Sequence, residues 1–422
     1  MDLKNSFVII LLCGWLLKFV LDQILEYVDY RFRSKNGKLV PEELKGFINE
    51  EDLSKTVEYE NFNYKFYLIS KPLIICFELA LLFAGFYPFL YEKLILVFKS
   101  DFLILFFFMI LTSLADGIFS LPFEIYDEFK IEKKFGFSTT TKKTFAADKI
   151  KEFFVNLIIL VPLLFAAIFI LDKCSSFWWI LLGLIYVGFS LLLSVIYPMF
   201  IAPVFNKFTP LPEGELKTRL ENLLKECDFK SSGLFIMDAS KRSNHSNAYF
   251  TGFGKSKRVV LYDTLVNQLT PEEIEAVLAH ELGHYKYHHI TKKLLTVIPL
   301  VFVFLFVISK FILNENFYAG FNFPVPQEIP PSLKIIGIML LTMVFKGFGI
   351  LISPVSNFFS RKDEFQADAF SKKLCKTEKP LVQALIKLNK ENLSEVQVPK
   401  IYSIFNYNHP PLLERIRNLS KN

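Results

Sequence analysis

His280 and His284 stand four residues apart, and Glu281 lies between them in the string His-Glu-Leu-Gly-His. On a helix, residues four apart project from one face, so the two imidazoles can occupy two corners of a tetrahedral zinc site. The Glu281 carboxylate lies one step round the helix, where it can deprotonate the water that attacks an amide carbonyl. The spacing therefore predicts a zinc metallopeptidase; the alternative is a pair of solvated surface histidines.

The segment before this motif carries the signals of a helix start. Thr270 suits the cap position, Pro271 suits the first turn, and Glu273 completes a capping box. We therefore predict that one helix carries the whole motif. Further upstream, the apolar pattern predicts a helix, a short strand and a hairpin, over residues 216–227, 233–237 and 246–262.

A zinc peptidase needs a third protein ligand, and a second polar block of the chain offers two carboxylates. Glu364 and Asp368 would share one face of a helix, and Glu364 lies 80 residues beyond His284. We assign Glu364 to the metal, and Asp368 to a hydrogen bond that fixes the tautomer of a ligand imidazole. From the pattern alone, a charged helix whose carboxylates face water is an equally good interpretation.

Three further histidines are assigned no part in the chemistry. His288 follows His284 by about one turn, but a continuing helix would have risen about 6 Å at that point, too far for another ligand. His245, His288 and His289 are therefore expected to be structural or solvated. The five cysteines form no Cys-x-x-Cys pair, which argues against a cysteine zinc site or a disulfide framework.

The elements around these blocks are too apolar for an ordinary soluble enzyme. Of the 422 residues, 52% are hydrophobic and 48 are Phe, and the mean hydropathy is +0.36. A hydrocarbon core of about 30 Å needs roughly 20 apolar residues in helical form. Seven stretches of that kind predict membrane spans, over residues 7–28, 68–90, 102–121, 153–171, 177–201, 294–313 and 333–354.

These spans divide the chain into four parts. Residues 1–201 hold five spans, 202–293 form the first part of a peptidase domain, 294–357 hold two further spans, and 358–422 form the second part. If both polar blocks supply metal ligands, they must fold together as one domain beside the membrane. The predicted fold is thus a multi-pass α-helical membrane protein with a zinc peptidase domain.

Lysine and arginine are concentrated in alternate loops between the spans. Loops one and three hold seven each, whereas loops two, four and six hold two, one and none. Because basic loops are retained in the cytoplasm, we expect the N-terminus outside and both polar blocks inside. These residues also explain the net charge of +6. No Arg/aromatic binding stripe is present, so we expect no nucleic-acid partner.

Five segments of the chain carry distinctive strings. They read SNHSNAYF at 243–250, RVVLYDTL at 258–265, HELGH at 280–284, EFQADAF at 364–370 and HPPLLERI at 409–416. Together they closely resemble the type I CAAX prenyl protease family of integral-membrane zinc metallopeptidases. The resemblance continues upstream at 121–126, 135–138 and 201–211, so that it covers nearly the whole chain in order.

This resemblance implies a fold and a metal centre. The fold would be a barrel of seven tilted helices around a water-filled chamber, closed at the cytoplasmic end by a gluzincin-like α+β zinc domain. One Zn²⁺ per chain would be held by His280, His284 and Glu364. The catalytic base would be Glu281, and Asp368 would be the outer carboxylate.

The resemblance also implies roles for two residues outside this cluster. Asn247 would lie by an edge strand that holds an extended peptide through main-chain bonds. His409, with Arg415 six residues later, would lie near the developing oxyanion. From the residues alone, Asn247 is a polar residue next to a turn and His409 a loop histidine before proline, and sequence pattern favours those interpretations.

The function implied is a membrane-embedded endopeptidase in contact with the lipid bilayer. It would cut near the C-terminus of peptide or protein substrates, either prenylated CAAX-type peptides or similar ones. One alternative is a broad quality-control protease of the HtpX type. Another is a non-enzymatic conduit or chaperone in which zinc has only a structural role. The oligomeric state stays open, and a monomer is compatible with the sequence.

One departure from the family bears on the origin of the chain. Eukaryotic members usually carry a long polar insertion before the zinc helix, whereas this chain passes from Leu265 to Thr270 almost directly. This predicts a prokaryotic origin and a bacterial cell membrane, with the catalytic domain in the cytoplasm. In a eukaryote the expected location would be the endoplasmic reticulum membrane.

Overall fold

The computed structural model describes residues 1–174, 176–251 and 257–421, in which long helices dominate and one small sheet is present. The α-helices are α1 Ser6–Asn36, α2 Glu50–Phe83, α3 Phe86–Val97, α4 Asp101–Tyr126, α5 Lys142–Lys173, α6 Trp178–Ile196, α7 Ala202–Phe205, α8 Glu215–Glu226, α9 Asp263–Gln268, α10 Pro271–Lys286, α11 His289–Phe311, α12 Glu315–Gly320, α13 Pro331–Lys346, α14 Ser353–Cys375, α15 Lys379–Glu391, α16 Lys400–Asn406 and α17 Leu412–Leu419. The strands are β1 Phe208–Pro210, β2 Leu234–Met237, β3 Ala248–Thr251 and β4 Arg258–Tyr262.

Seven helical segments in the described part of the chain are long and apolar enough to cross a membrane. They are Ser6–Asn36, Glu50–Phe83, Asp101–Glu132, Lys142–Lys173, Trp178–Phe205, His289–Phe311 and Pro331–Leu351. This confirms the number of spans predicted from hydropathy. Several helices run well past the apolar stretch, because helix formation does not stop where hydrophobicity does. The polar start of α2, for example, is fixed by a capping box between Asn49 and Asp52.

The second predicted span, at 68–90, was wrong at its C-terminal end. The helix ends at Phe83. Gly85 then adopts φ 69°, in the left-handed region, and starts the separate helix α3. Hydropathy missed this break because the residues on both sides of it are apolar. With 12 residues, α3 is about 18 Å long and too short to cross a bilayer.

The helix α13 forms the centre of the membrane part. Half of its most apolar stretch is buried inside the protein, compared with 6% for the corresponding stretches of Trp178–Phe205 and α11. It packs on α1, where the Trp15 indole N–H donates to the Met343 carbonyl at 2.9 Å. Gly14 and Gly347 bring the two backbones into direct contact, since a side chain on Gly347 would overlap the main chain of Gly14. The spans Trp178–Phe205 and α11 are the least buried of the seven and lie at the periphery of the membrane part.

The polar blocks form an α+β unit around the four-stranded sheet. The strand order is β1-β2-β4-β3, with β2 parallel to β4 and the other pairs antiparallel. The antiparallel pair β3–β4 confirms the predicted hairpin, whose connecting residues 252–256 lie outside the described residues. β3 is an edge strand.

The helix α10, from the first polar block, packs along α14, from the second. A Cβ on Gly283 would lie 2.9 Å from the Cα of Ala367, so the glycine permits this close approach. The Ser371 hydroxyl donates to the Ala276 carbonyl at 2.7 Å and ties the same pair of helices together. The two blocks, which α11 and α13 separate in the sequence, therefore meet along one helix pair.

Candidate metal centre

The predicted capping box starts the helix that carries the motif. The Thr270 hydroxyl accepts from the Glu273 backbone N–H at 3.4 Å, and the Glu273 carboxylate accepts from the Thr270 N–H at 2.8 Å. The helix buries Ile274, Leu278 and Leu282 in the core under the sheet. That anchoring fixes its rotation, so the opposite face presents the two histidines to α14.

Three side chains converge between α10 and α14. His280, His284 and Glu364 each offer one ligand atom, and these atoms all lie within 4.8 Å of one another. His280 Nε2 is 3.4 Å from Glu364 Oε2, and His284 Nε2 is 3.2 Å from Glu364 Oε1. The two Nε2 atoms are 3.2 Å apart. The structure thus brings together the three residues that the sequence analysis assigned to the metal.

The chemistry of this cluster fits a zinc ion. Two imidazole nitrogens and a carboxylate form the His₂Glu donor set of catalytic zinc sites, which leave a fourth position open. Among the described residues, the buried Glu364 Oε2 atom makes no hydrogen bond that meets the geometric criteria. Buried polar atoms are normally satisfied, and a cation between the three donors would satisfy this one.

The Asp368 carboxylate orients one of these imidazoles. It is fully buried and lies 2.8 Å from His280 Nδ1, so His280 donates from Nδ1 and turns Nε2 toward the cluster. Arg415 donates to the other side of the same carboxylate, with Nε and Nη2 at 2.9 and 2.6 Å. Burial would raise the pKa of Asp368, but hydrogen bonds from His280 and Arg415 outweigh it and hold the pKa below its usual range.

Protons and charge in the cluster are coupled. Burial lowers the pKa of His280, but hydrogen bonds to Asp368 and Glu364 outweigh it and raise the pKa to about 9. Burial alone would raise the pKa of Glu364, yet the two histidines hold it well below the ordinary value. Without a cation, the cluster therefore keeps a proton on an imidazole rather than on the carboxylate.

The predicted base has a different environment. Burial raises the pKa of Glu281, and this effect exceeds the lowering that His280 and His284 cause. Its carboxylate makes no hydrogen bond among the described residues, so it is free to receive a proton. A carboxylate with a raised pKa can both take up and release a proton near neutral pH.

His409 lies at the metal cluster, whereas Asn247 does not contact it among the described residues. His409 Nε2 lies 3.3 Å from Glu364 Oε1, and the side chain is 60% exposed, which puts it at the rim of the cluster. Asn247 immediately precedes β3, where its side-chain oxygen accepts from the Ala248 N–H at 2.8 Å. Within the described ranges, no hydrogen bond joins Asn247 to the metal cluster. The Arg415 guanidinium is engaged by Asp368, not free at an oxyanion position.

His289, which the sequence analysis left as structural or solvated, belongs to the site. Its Nδ1 lies 2.9 Å from His284 Nδ1, and the residue is 5% exposed. The helix α10 ends at Lys286, and His288 adopts φ 57°, which turns the chain back. Histidine is one of the residues enriched at positive φ, but no motif in the sequence predicts that the helix ends before His288.

Comparison with known protein families agrees with these features. Residues 29–207 match the family model described as CAAX prenyl protease N-terminal, five membrane helices. Residues 210–422 match the model of peptidase family M48. The two matches adjoin and cover most of the chain.

Individual proteins resemble the chain over nearly its full length. A CAAX prenyl protease 1 homolog from Arabidopsis thaliana is 37% identical and covers 90% of this chain and 89% of its own. The CAAX prenyl protease 1 of Saccharomyces cerevisiae is 33% identical, with coverages of 95% and 92%. The crystal structure of S. mikatae Ste24p superposes with a TM-score of 0.90 at 33% identity, over 98% and 99% of the two chains. The expected multi-pass membrane fold with a zinc peptidase domain is thereby confirmed.

These relatives are eukaryotic. The prokaryotic origin predicted from the short connection between Leu265 and Thr270 gains no support from them.

Proposed function

We propose, from the premise that this chain belongs to the CAAX prenyl protease branch of peptidase family M48, that it hydrolyses peptides near their C-terminus beside the membrane surface. The chain is a membrane zinc metallopeptidase by family. The proposal adds a substrate class, C-terminal peptides with or without a prenyl group, and a set of residue roles. The observation that carries it is the convergence of His280, His284 and Glu364, with Glu281 unpaired beside them.

The metal that fits this centre is one Zn²⁺ per chain, which His280, His284 and Glu364 would hold. When bound, zinc supplies a Lewis acid that polarises the scissile carbonyl and makes water acidic enough to attack near neutral pH. Asp368 holds the proton on His280 Nδ1, which directs Nε2 toward the metal position.

Proton transfer falls to Glu281. Its carboxylate accepts the proton of the attacking water and returns it to the leaving amine, and the raised pKa suits both steps. His409 Nε2, on the exposed rim, is near enough to the cluster to donate to the oxyanion that develops on the carbonyl.

The edge strand β3 supplies the means to hold an extended peptide. Its outer side has no neighbouring strand in the sheet, so a substrate can pair with it through main-chain hydrogen bonds. Asn247 stands at the start of this strand. We assign it the positioning of the peptide next to the scissile bond.

The organisation around the site is part of the same proposal. Residues 202–293 and 358–422 act as one peptidase unit, and 1–201 with 294–357 form the membrane unit. The concentration of lysine and arginine in alternate loops supports a cytoplasmic position for the peptidase unit.

The test is hydrolysis of a prenylated Cys-aliphatic-aliphatic-X peptide and of its unprenylated twin, with the products identified by mass spectrometry. Glu281→Gln should lower the rate by at least 100-fold while zinc remains bound. Glu272→Gln, on an exposed position of the same helix, is the matched control and should retain full activity.

The rival functions give other results. A broad quality-control protease of the HtpX type, which the comparisons do not favour, would degrade unfolded membrane proteins in preference to either peptide. A conduit in which zinc has only a structural role would keep its cellular function in the Glu281→Gln variant. Full peptide hydrolysis after zinc has been removed by chelation would refute the proposed mechanism.

A further inference from the structure

His284 is connected to a second histidine on the side away from the metal cluster. Its Nδ1 lies 2.9 Å from His289 Nδ1, with the rings at 75° to each other and 5.0 Å between centroids. On its far side, His289 Nε2 lies 2.9 Å from Gln366 Oε1 and 3.4 Å from Asp363 Oδ1. A chain of contacts therefore runs from the first histidine to two acceptor oxygens on α14.

The proton positions along this chain follow from what each atom can do. A 2.9 Å contact between two neutral imidazole nitrogens requires one to donate and the other to accept. In the proposed metal centre, zinc would take the lone pair of His284 Nε2, which faces Glu364, so the remaining proton of His284 would lie on Nδ1. His289 therefore accepts at Nδ1 and carries its proton on Nε2. That proton points at Gln366 and Asp363, whose facing oxygens accept.

We infer that His289 is a positioning residue for the metal centre, which fixes the tautomer and ring orientation of His284 through the contact between the two Nδ1 atoms. This inference rests on the proposed zinc site. His289 then does for His284 what Asp368 does for His280. There, His280 Nδ1 donates to Asp368 Oδ1 at 2.8 Å. An outer partner of this kind orients a ligand imidazole and makes it a better donor to the metal.

The local backbone is built for this contact. A helix that continued through residue 288 would carry His289 round to another face. Instead, His288 adopts φ 57° and ψ 35°, and α11 starts at His289. The Tyr287 ring packs against the His289 ring at 5.9 Å and 22°. The imidazole is thus held by a ring on one side and by hydrogen bonds at both nitrogens.

The test uses the full-length protein in detergent and measures zinc affinity by competition with a chromophoric chelator. His289→Leu removes the acceptor and should weaken zinc binding about 10–100-fold. His289→Asn offers an amide oxygen in place of Nδ1 and should restore the affinity to within a few-fold of wild type. His288→Asn, which suits the left-handed backbone at that position, is the matched control and should bind zinc as wild type does.

Two further measurements separate positioning from simple packing. The visible absorption of the cobalt-substituted protein should change in His289→Leu and remain wild-type in His289→Asn. The double variant Asp363→Ala with Gln366→Ala leaves His289 in place but removes its acceptors, and should also weaken zinc binding. This variant decides the matter if His289→Leu fails to fold.

Two outcomes overturn the inference. One is an equal loss of affinity in His289→Asn and His289→Leu, and the other is unchanged affinity in both His289→Leu and the double variant. A wild-type protein that takes up no stoichiometric zinc would instead refute the proposed metal centre. If the wild type, His289→Leu and the double variant all bind zinc tightly, the proposed metal centre stands and only the role of His289 is refuted.

Discussion

Gly283 on α10 touches the backbone of Ala367 on α14: a Cβ on the glycine would lie 2.9 Å from the Ala367 Cα and 3.2 Å from its Cβ. Side chains at this point would push the two helices apart. His284 follows the glycine directly, and Glu364 lies one turn before the alanine. The glycine contact therefore sets the distance between the metal ligands of the two polar blocks.

Gly283→Ala should lower the free energy of unfolding by up to about 2 kcal/mol, because overpacking against a backbone costs about 1–3 kcal/mol and alanine recovers only about 1 kcal/mol in helix propensity. It should also weaken zinc binding, since Glu364 moves with α14. Thermal unfolding with and without zinc measures both effects. Gly117→Ala in α4 meets nothing within 4 Å and is the control, with unchanged or slightly raised stability. Wild-type stability and zinc affinity in Gly283→Ala would contradict this account.

The sequence predicted those parts of the site that depend on local periodicity. Helical spacing put His280 and His284 on one face, and the capping box at Thr270 fixed where their helix begins. The distance from Glu364 to the histidines could not follow from periodicity, since it depends on a helix–helix contact across 80 residues of sequence. The pattern offered Glu364 as a candidate ligand, and the resemblance to a family decided between that assignment and a carboxylate that faces water.

Two features that escaped prediction are breaks in helices. His289 was left as structural or solvated, whereas the left-handed turn at His288 brings it against His284. The end of the second membrane helix was missed because the turn at Gly85 lies within a continuous apolar stretch. A single residue at positive φ redirects a helix without changing hydropathy or periodicity around it.

Arg415→Met should destabilise the fold by about 3 kcal/mol, because it leaves the fully buried Asp368 carboxylate without its bidentate partner. Zinc affinity should also fall, since Asp368 would hold His280 less firmly. Chemical unfolding and zinc competition measure the two losses. Arg417→Met removes an exposed guanidinium two residues away and should change neither quantity measurably. Equal behaviour of the two methionine variants would show that the buried pair is energetically unimportant.

His245 should make the stability of the protein depend on pH. A hydrogen bond to Glu132 raises the pKa of His245, with burial opposing it and Asn392 adding to the rise. Because the folded-state pKa exceeds the unfolded value near 6.5, the stabilisation is fully present below about pH 6.5. It is lost as the pH rises through the folded-state value. The side chain is 40% exposed, so solvent screening limits the effect to below about 1 kcal/mol.

The measurement for His245 is the difference in melting temperature between wild type and His245→Asn at pH 6 and at pH 8.5. The difference should be larger at pH 6. His288→Asn serves as the control, because no side-chain hydrogen bond or ion pair involves His288 among the described residues. A difference for His245→Asn that stays constant with pH would argue against a charged pair with Glu132.

Zinc binding should release a proton and strengthen as the pH rises. In the metal-free centre, burial lowers the pKa of His280, but hydrogen bonds to Asp368 and Glu364 raise it to about 9. This raised pKa stabilises the metal-free fold fully below about pH 6.5 and ceases to do so as the pH rises through about 9. Zinc needs the Nε2 lone pair, so the ion must displace that proton. Its apparent affinity should rise about tenfold per pH unit up to about pH 9.

Calorimetric titration of the metal-free protein with zinc, in two buffers of different ionisation enthalpy at the same pH, counts the protons released. About one should come from His280 near pH 7.5. Asp368→Asn removes the first hydrogen-bonding partner that raises the pKa, so this variant should release fewer protons and show a flatter dependence of affinity on pH. A zinc affinity that is the same at pH 6 and pH 8 would mean that His280 is already neutral in the metal-free protein. In that case the hydrogen bonds that His280 donates to Asp368 and Glu364 do not overcome the cost of burying a charged imidazole.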